Sequence, residues 1–243
     1  MTPPPEVRVF DDAAAASRAA ADSFLTLAST AASEGRGFAA ALTGGSSPAR
    51  LFSLLSTPGY RERIDWRVVH LFWGDERCVP PAHARSNYGL AQRLLLSRVP
   101  IPEANVHRIR GELRAYEGAA RYAEELERFF TGKPRFDLVH LGMGGDGHVC
   151  SLFPFDPLLR EVERSTGTAL KQPEGEWRIS LTYPVLNAAR RVELLVFGAG
   201  KAARVRQVLR GARDPLRIPA QGVRPDGKEV VWWMDAAAAA ELS

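Results

Sequence analysis

Cysteine is scarce in this 243-residue chain, which holds only Cys78 and Cys150, far apart in sequence. So few thiols exclude a disulfide framework, and no C-x-x-C, H-x-H or H-x-x-x-H spacing offers a metal site. No apolar run reaches the roughly 18 residues that a membrane-spanning helix needs. The Ala-rich N-terminal stretch follows Asp11 and Asp12 rather than a basic segment, so a secretory signal is not expected and the cytoplasm is. There is no long run of like charge: 32 Lys and Arg are scattered among 28 Asp and Glu for a net +4. That balance argues against a nucleic-acid footprint and suits a small anionic ligand. The G-x-x-x-x-G-K-[ST] loop of nucleotide-binding enzymes and the G-x-S-x-G elbow of serine hydrolases are both missing. No Pro/Gly/Ser-rich linker or internal repeat divides the chain, so residues 1–243 are expected to form one domain.

What is present is an alternation of apolar strands and amphipathic helices. Strands are expected at 7–10, 37–45, 67–77, 136–144, 177–183, 191–200 and 229–235. Helices are expected from Asp11 or Asp12 to near Gly35, then at 48–56, 86–99, 115–130 and 201–211, with a short Ala helix at the end. Ser86 has the chemistry of a helix cap, and Pro48 suits a first helical turn. Such alternation predicts an α/β fold: a single doubly wound, mainly parallel sheet with helices on both faces. Trp232 and Trp233 then fall in a strand with both rings in the core. Ligands of such sheets bind beyond the carboxyl ends of the strands, so the residues just after strands carry the functional information.

Three strand ends stand out. In "LTGGSSP" (42–48), Gly44, Gly45 and Ser46 allow close backbone approach, and a helix N-terminus follows that favours an anion. In "WGDERCVP" (73–80), Asp75, Glu76 and Arg77 leave a strand directly. They form either a phosphate grip built on the Arg77 fork or a solvated charge cluster. The third, "HLGMGGDGHVCSLFP" (140–154), contains G-x-G-x-x-G at Gly142, Gly144 and Gly147. A dinucleotide site requires a helix after the third glycine, and Pro154 and Pro157 cut one short; Asp146 inside the loop repels a pyrophosphate. No cofactor is therefore expected. What remains is His148 on a tight turn with Asp146 two residues before it, a group able to take a proton near neutral pH. His70 and His140 fall inside apolar strands, His83 and His107 in loops. Cys150 and Ser151 lie too close to His148 in sequence for ordinary nucleophile–base geometry.

Six blocks, "LTGGSSP", "FWGDERCVP" with the later "SNY", "LGMGGDGHVCSLFP", "RISLTYPVLNAA", "VFGAGKA" and "VWWMDAAAA", together resemble the 6-phosphogluconolactonase branch of the superfamily shared with glucosamine-6-phosphate deaminase. The S-L-F-P ending after Asp146-Gly147-His148 is similar to lactonases, where deaminases carry F-N-E-P. Lactonases commonly have Thr-Ala in place of Val149-Cys150, and prolines in place of part of "KQPEGEW". The resemblance implies a modified Rossmann-like fold. It implies hydrolysis of 6-phospho-D-glucono-1,5-lactone to 6-phosphogluconate, a step of the oxidative pentose phosphate pathway, without metal or cofactor. His148 would be the general base and Asp146 its orienting partner. Gly44, Gly45, Ser46, Asp75, Arg77 and Lys201 would hold the sugar phosphate. A deaminase and a non-catalytic sugar-phosphate sensor are the alternatives from other classes. No membrane or nucleic-acid partner is expected, and oligomeric state is not legible.

Overall fold

A computed structural model describes residues 5–225 and 229–242; residues 1–4, 226–228 and 243 of the single domain expected above lie outside the described residues. In chain order these form β1 (Glu6–Phe10), α1 (Ala13–Ser33), β2 (Phe38–Leu42), α2 (Ser46–Leu55), α3 (Pro58–Arg61), β3 (Val69–Trp73), β4 (Asp75–Arg77), α4 (Asn87–Leu94), β5 (Val106–His107), α5 (Ala115–Phe130), β6 (Leu138–Gly142), β7 (Thr166–Lys171), β8 (Glu176–Leu181), α6 (Tyr183–Ala188), β9 (Arg191–Val196), α7 (Ala202–Arg210), β10 (Glu229–Asp235) and α8 (Ala236–Ala239).

The run "FAAAL" of β2 is buried at every position, as a strand covered by helices on both faces must be. It lies inside a seven-stranded sheet of order β1-β10-β9-β6-β2-β3-β5, and every pairing in that sheet is parallel. The helices pack around it. In α1 a stripe of alanines at 16, 20, 28 and 31 is buried beside Phe24 and Leu25, so the helix approaches its neighbours closely. Asp12 caps it, its Oδ1 accepting from Ala15 N at 2.7 Å. Ser86 caps α4 in the same way, accepting from Gly89 N at 2.9 Å. Trp232 and Trp233 are both buried, as expected. No helix of the described residues is long and apolar enough to cross a membrane.

The strand order fixes where a ligand can enter. From β2 the chain proceeds to β3 on one side, whereas from β6 it proceeds to β9 on the other. Connections diverge between these two neighbours, which leaves a crevice at their carboxyl ends.

Three readings of the sequence need correction. The stretch 67–77 is not one strand: β3 ends at Trp73, and Asp75–Arg77 belong to a second sheet, of order β4-β8-β7, whose pairings are antiparallel. The stretch 177–183, expected in the main sheet, is the middle strand of this smaller one. Its partner β7, "TGTALK", was not anticipated because only Thr166 and Ala169 are buried and no period of two appears. The chain passes between the sheets through Gly74, whose N–H donates to Leu42 O at 2.8 Å and whose carbonyl accepts from Leu181 N at 2.8 Å. His107, read as a loop residue, lies in the two-residue β5.

A charged group sits deep under the main sheet. Glu193 is fully buried and accepts from Ser23 Oγ at 2.6 Å and Arg191 Nε at 2.7 Å, with His140 Nε2 at 3.3 Å. Burial pushes its carboxyl pKa up, but the hydrogen bond and charge of His140, Ser23 and Arg191 outweigh this and hold it at about 2. Its contribution to stability is therefore complete above the ordinary value of 4.5 and is lost as pH falls from there toward about 2. Glu193→Ala is expected to destabilise the fold by about 3–5 kcal/mol, because His140 and Arg191 lose their buried partner. Urea unfolding of the variant and the parent at neutral pH measures this.

Candidate active site

The loops that follow β2 and β6 meet at the crevice between them. The cleft there has a volume of about 240 Å³. Of the residues expected to bind or act, Gly44, Gly45, Ser46, Asp75, Arg77, His148 and Lys201 all line it. Asp146 stands behind His148. Sequence reasoning assigned no role to Asn87, Lys171 or Arg178, which line it as well. Asn87 and Arg178 lay within the blocks "SNY" and "RISLTY", and an arginine in an otherwise apolar strand was the available signal.

The turn after β6 is built around an acid–base pair. His148 Nδ1 lies 2.6 Å from Asp146 Oδ1, and the same oxygen accepts from the His148 backbone N–H at 3.1 Å. A carboxylate only accepts, so Nδ1 carries the proton and Nε2 presents its lone pair. The imidazole stands edge-on against Phe153, ring centroids 4.9 Å apart. Burial raises the Asp146 pKa, yet the hydrogen bond and charge of His148 prevail and hold it at about 2. Asp146 is thus an anion throughout the physiological range.

The glycine spacing has its explanation here. A Cβ on Gly144 would lie 2.2 Å from His148 Nδ1 and 2.5 Å from Asp146 Oδ1, so the pair can fold over position 144 only if that position is bare. Gly147 has φ of +88°, a conformation that side chains disfavour. The pattern that imitates a dinucleotide turn makes room for a histidine–carboxylate pair instead.

The turn after β2 supplies backbone donors. Gly45, at φ of +99°, is the N-cap of α2, and no side chain caps this helix. Ser46 is therefore the first helical residue. The first N–H groups of α2 have no intrahelical acceptor and face the cleft with the positive end of the helix dipole. Lys201 reaches the cleft from the turn between β9 and α7.

The second sheet brings the guanidinium groups. Arg77 of β4 is the register partner of Arg178 of β8. Like charges directly opposite in a sheet repel. Arg178 is buried, and burial together with the adjacent Arg77 charge lowers its pKa. The Nε atoms of both arginines are buried without a hydrogen-bond partner. Arg77 Nη1 donates to Arg85 O, and Arg178 pairs with Glu176. Lys171, at the end of β7, pairs with Glu174 at 3.0 Å.

The acids after β3 are not a solvated cluster. Glu76 is buried and holds the start of α4, accepting from Asn87 N at 2.7 Å, Tyr88 N at 2.8 Å and Ser86 Oγ at 2.9 Å. Asp75 does not pair with Arg77 among the described residues: its Oδ2 accepts from Ser151 Oγ at 2.7 Å and its Oδ1 from Asn87 Nδ2 at 3.2 Å. Ser151 is thereby committed to Asp75. Burial, and after it the charge of Asp75, pushes the Cys150 thiol up, so neither residue is an activated nucleophile. Among the described residues no group of three or more His, Cys, Asp or Glu side chains is placed to hold a metal ion.

Comparison with known proteins gives a consistent set of relatives. Residues 11–232 match the family model described as glucosamine-6-phosphate isomerases/6-phosphogluconolactonase. A 6-phosphogluconolactonase from a Nostoc species is 38% identical over 242 residues, covering 98% of each chain. The 6-phosphogluconolactonase of Homo sapiens is 45% identical over 172 residues, covering 70% of this chain and 66% of its own. Among solved structures, a 6-phosphogluconolactonase from Trypanosoma cruzi superposes with a TM-score of 0.88 at 26% identity, covering 100% of this chain and 98% of its own.

The bare position under the acid–base pair gives a direct test. Gly144→Ala displaces His148 from Asp146 without touching the core of the sheet. It is expected to lower kcat roughly 100-fold or more, within the range that general-base catalysis contributes, while the melting temperature changes little. Steady-state hydrolysis rates and thermal unfolding of the variant measure the two effects.

Proposed function

Since the chain belongs to the family of glucosamine-6-phosphate isomerases and 6-phosphogluconolactonases, we propose that residues 1–243, acting as one α/β domain, hydrolyse 6-phospho-D-glucono-1,5-lactone to 6-phosphogluconate. The observation that carries this reading is the meeting, in one cleft, of His148 locked by an ionised Asp146 and two arginines whose Nε atoms are buried and unpartnered. The first suits activation of water and the second suits a phosphate.

The chemistry needs little beyond this. A lactone is already an activated ester, so its hydrolysis requires neither a metal nor a covalent intermediate. Nε2 of His148 takes a proton from water as the oxygen attacks C1. The C1 carbonyl becomes a tetrahedral oxyanion, the ring C1–O5 bond breaks, and the imidazolium returns its proton to O5. Asp146 holds the imidazole in the required tautomer and balances its transient positive charge, the role of the acid in other histidine–carboxylate pairs. The phosphate is held by Arg77, Arg178 and Lys201 together with the free N–H groups at Gly45–Ser46. A dianion between the cross-strand arginines turns their mutual repulsion into attraction, and guanidinium forks suit phosphate oxygens. Asp75 faces the sugar hydroxyls.

His148→Ala is expected to reduce kcat by roughly 10²–10⁴ while the variant still binds 6-phosphogluconate. A coupled assay with 6-phosphogluconate dehydrogenase, corrected for spontaneous hydrolysis, measures the rate; equal turnover by the variant would remove the base assignment. Arg178→Gln is expected to raise KM by about 10- to 100-fold, the loss of one charged hydrogen-bonded contact, with a smaller effect on kcat. Asp146 stays ionised down to about pH 2, so a pH–rate series is expected to show no step from this carboxyl as pH falls from neutral toward that value.

A further inference from the structure

The amide of Asn87 is held in one orientation by neighbours that only accept. Its Nδ2 donates to the Asp75 carbonyl at 2.9 Å and to Asp75 Oδ1 at 3.2 Å. Reversal would set the amide oxygen against two oxygens, so the assignment of oxygen and nitrogen is fixed by chemistry. The amide oxygen therefore points away from Asp75. It is buried, in a residue 1% exposed, and has no hydrogen-bond partner. It lies against the bare face of Gly44, where an added Cβ would come within 1.7 Å of it. Asn87 and Gly44 both line the cleft.

A buried acceptor left without a donor is destabilising. The cations of the site are donors and serve the phosphate. On a sugar-phosphate lactone the phosphate and the carbonyl only accept, and the donors are the hydroxyls at C2, C3 and C4. We infer that Asn87 is a specificity-determining residue whose amide oxygen accepts a hydrogen bond from one of these ring hydroxyls. Asn87 then reads the ring while Arg77 and Arg178 read its charge. The bare Cα at position 44 makes room for that oxygen at the wall of the cleft. This rests on the lactonase reading above and adds the residue that discriminates among phosphorylated lactones.

The test pairs deletion of the acceptor with deletion of each donor. The 2-, 3- and 4-deoxy 6-phosphogluconolactones, prepared by oxidation of the corresponding deoxyglucose 6-phosphates, are compared with the parent lactone by kcat/KM. The wild type is expected to discriminate against one of the three by roughly 10- to 100-fold, the cost of an unmet buried acceptor. Asn87→Ala is expected to lose that discrimination. Ser151→Ala is the control: it loosens Asp75 and leaves Asn87 in place, so the discrimination persists if Asn87 itself reads the hydroxyl. The inference is overturned if Asn87→Ala keeps the discrimination at all three positions, or if Ser151→Ala erases it equally. A variant that fails to fold leaves a decisive measurement on the wild type alone, since equal kcat/KM for all four lactones overturns the inference too. Absence of wild-type turnover of the parent lactone would instead remove the lactonase reading, and the inference with it.

Discussion

A parallel sheet has to send its connections somewhere, and this one sends them apart between β2 and β6. Helices that would otherwise cover the ends of these strands diverge, and the gap becomes the cleft. The remaining features of the site are consequences of what lines that gap. One wall is the glycine turn at the start of α2, with free N–H groups. The other is the turn after β6, with the His148–Asp146 pair. Both turns need glycine for steric reasons that differ. At Gly45 the backbone is left-handed, and at Gly144 the space is taken by the imidazole and carboxylate.

The smaller sheet changes the electrostatics of the gap rather than its shape. β4 and β8 set Arg77 and Arg178 face to face, an arrangement a free-standing sheet would avoid. Glu176 and Asp75 offset part of the charge, but both guanidinium groups keep a buried, unpartnered Nε. Local energetics and function pull in opposite directions here, as they commonly do where a site is built to receive a charged ligand. The carboxylates divide between two tasks. Asp146 and Asp75 face the site, while Glu76 is withdrawn into the capping of α4.

The main sheet was legible because its strands are continuous apolar runs separated by helices with clear caps, such as those at Asp12 and Ser86. The smaller sheet was not. β4 is three residues long and follows β3 after one glycine, so the two read as a single strand. β7 is half-exposed and has no alternation for a pattern to reveal. The same boundary divides the site. His148 and Gly44–Ser46 follow main-sheet strands and were legible from that position, whereas Lys201, which also follows one, was reached only through the family resemblance. Arg178 sits inside a strand of the smaller sheet, where a side chain's destination depends on pairing. Asn87 is a helix-start residue by sequence, and its proximity to Gly44 arises only from the tertiary fold. The role of Glu76 was missed because a charge after a strand reads as solvated until its acceptors are seen to be filled by backbone.

The passage between the two sheets takes a single residue, Gly74, bonded to Leu42 on one side and Leu181 on the other. A Cβ there would meet Cys150 Sγ at 2.9 Å. The arginines and the histidine turn are therefore joined without a hinge, and no lever arm lets one wall swing away from the other. A site made this way has its shape before its ligand arrives. Less conformational entropy is lost on binding, and the cost of ordering is met during folding instead. It also means that an insertion at Gly74 would shift Arg77 and Arg178 of the smaller sheet relative to the histidine turn after β6.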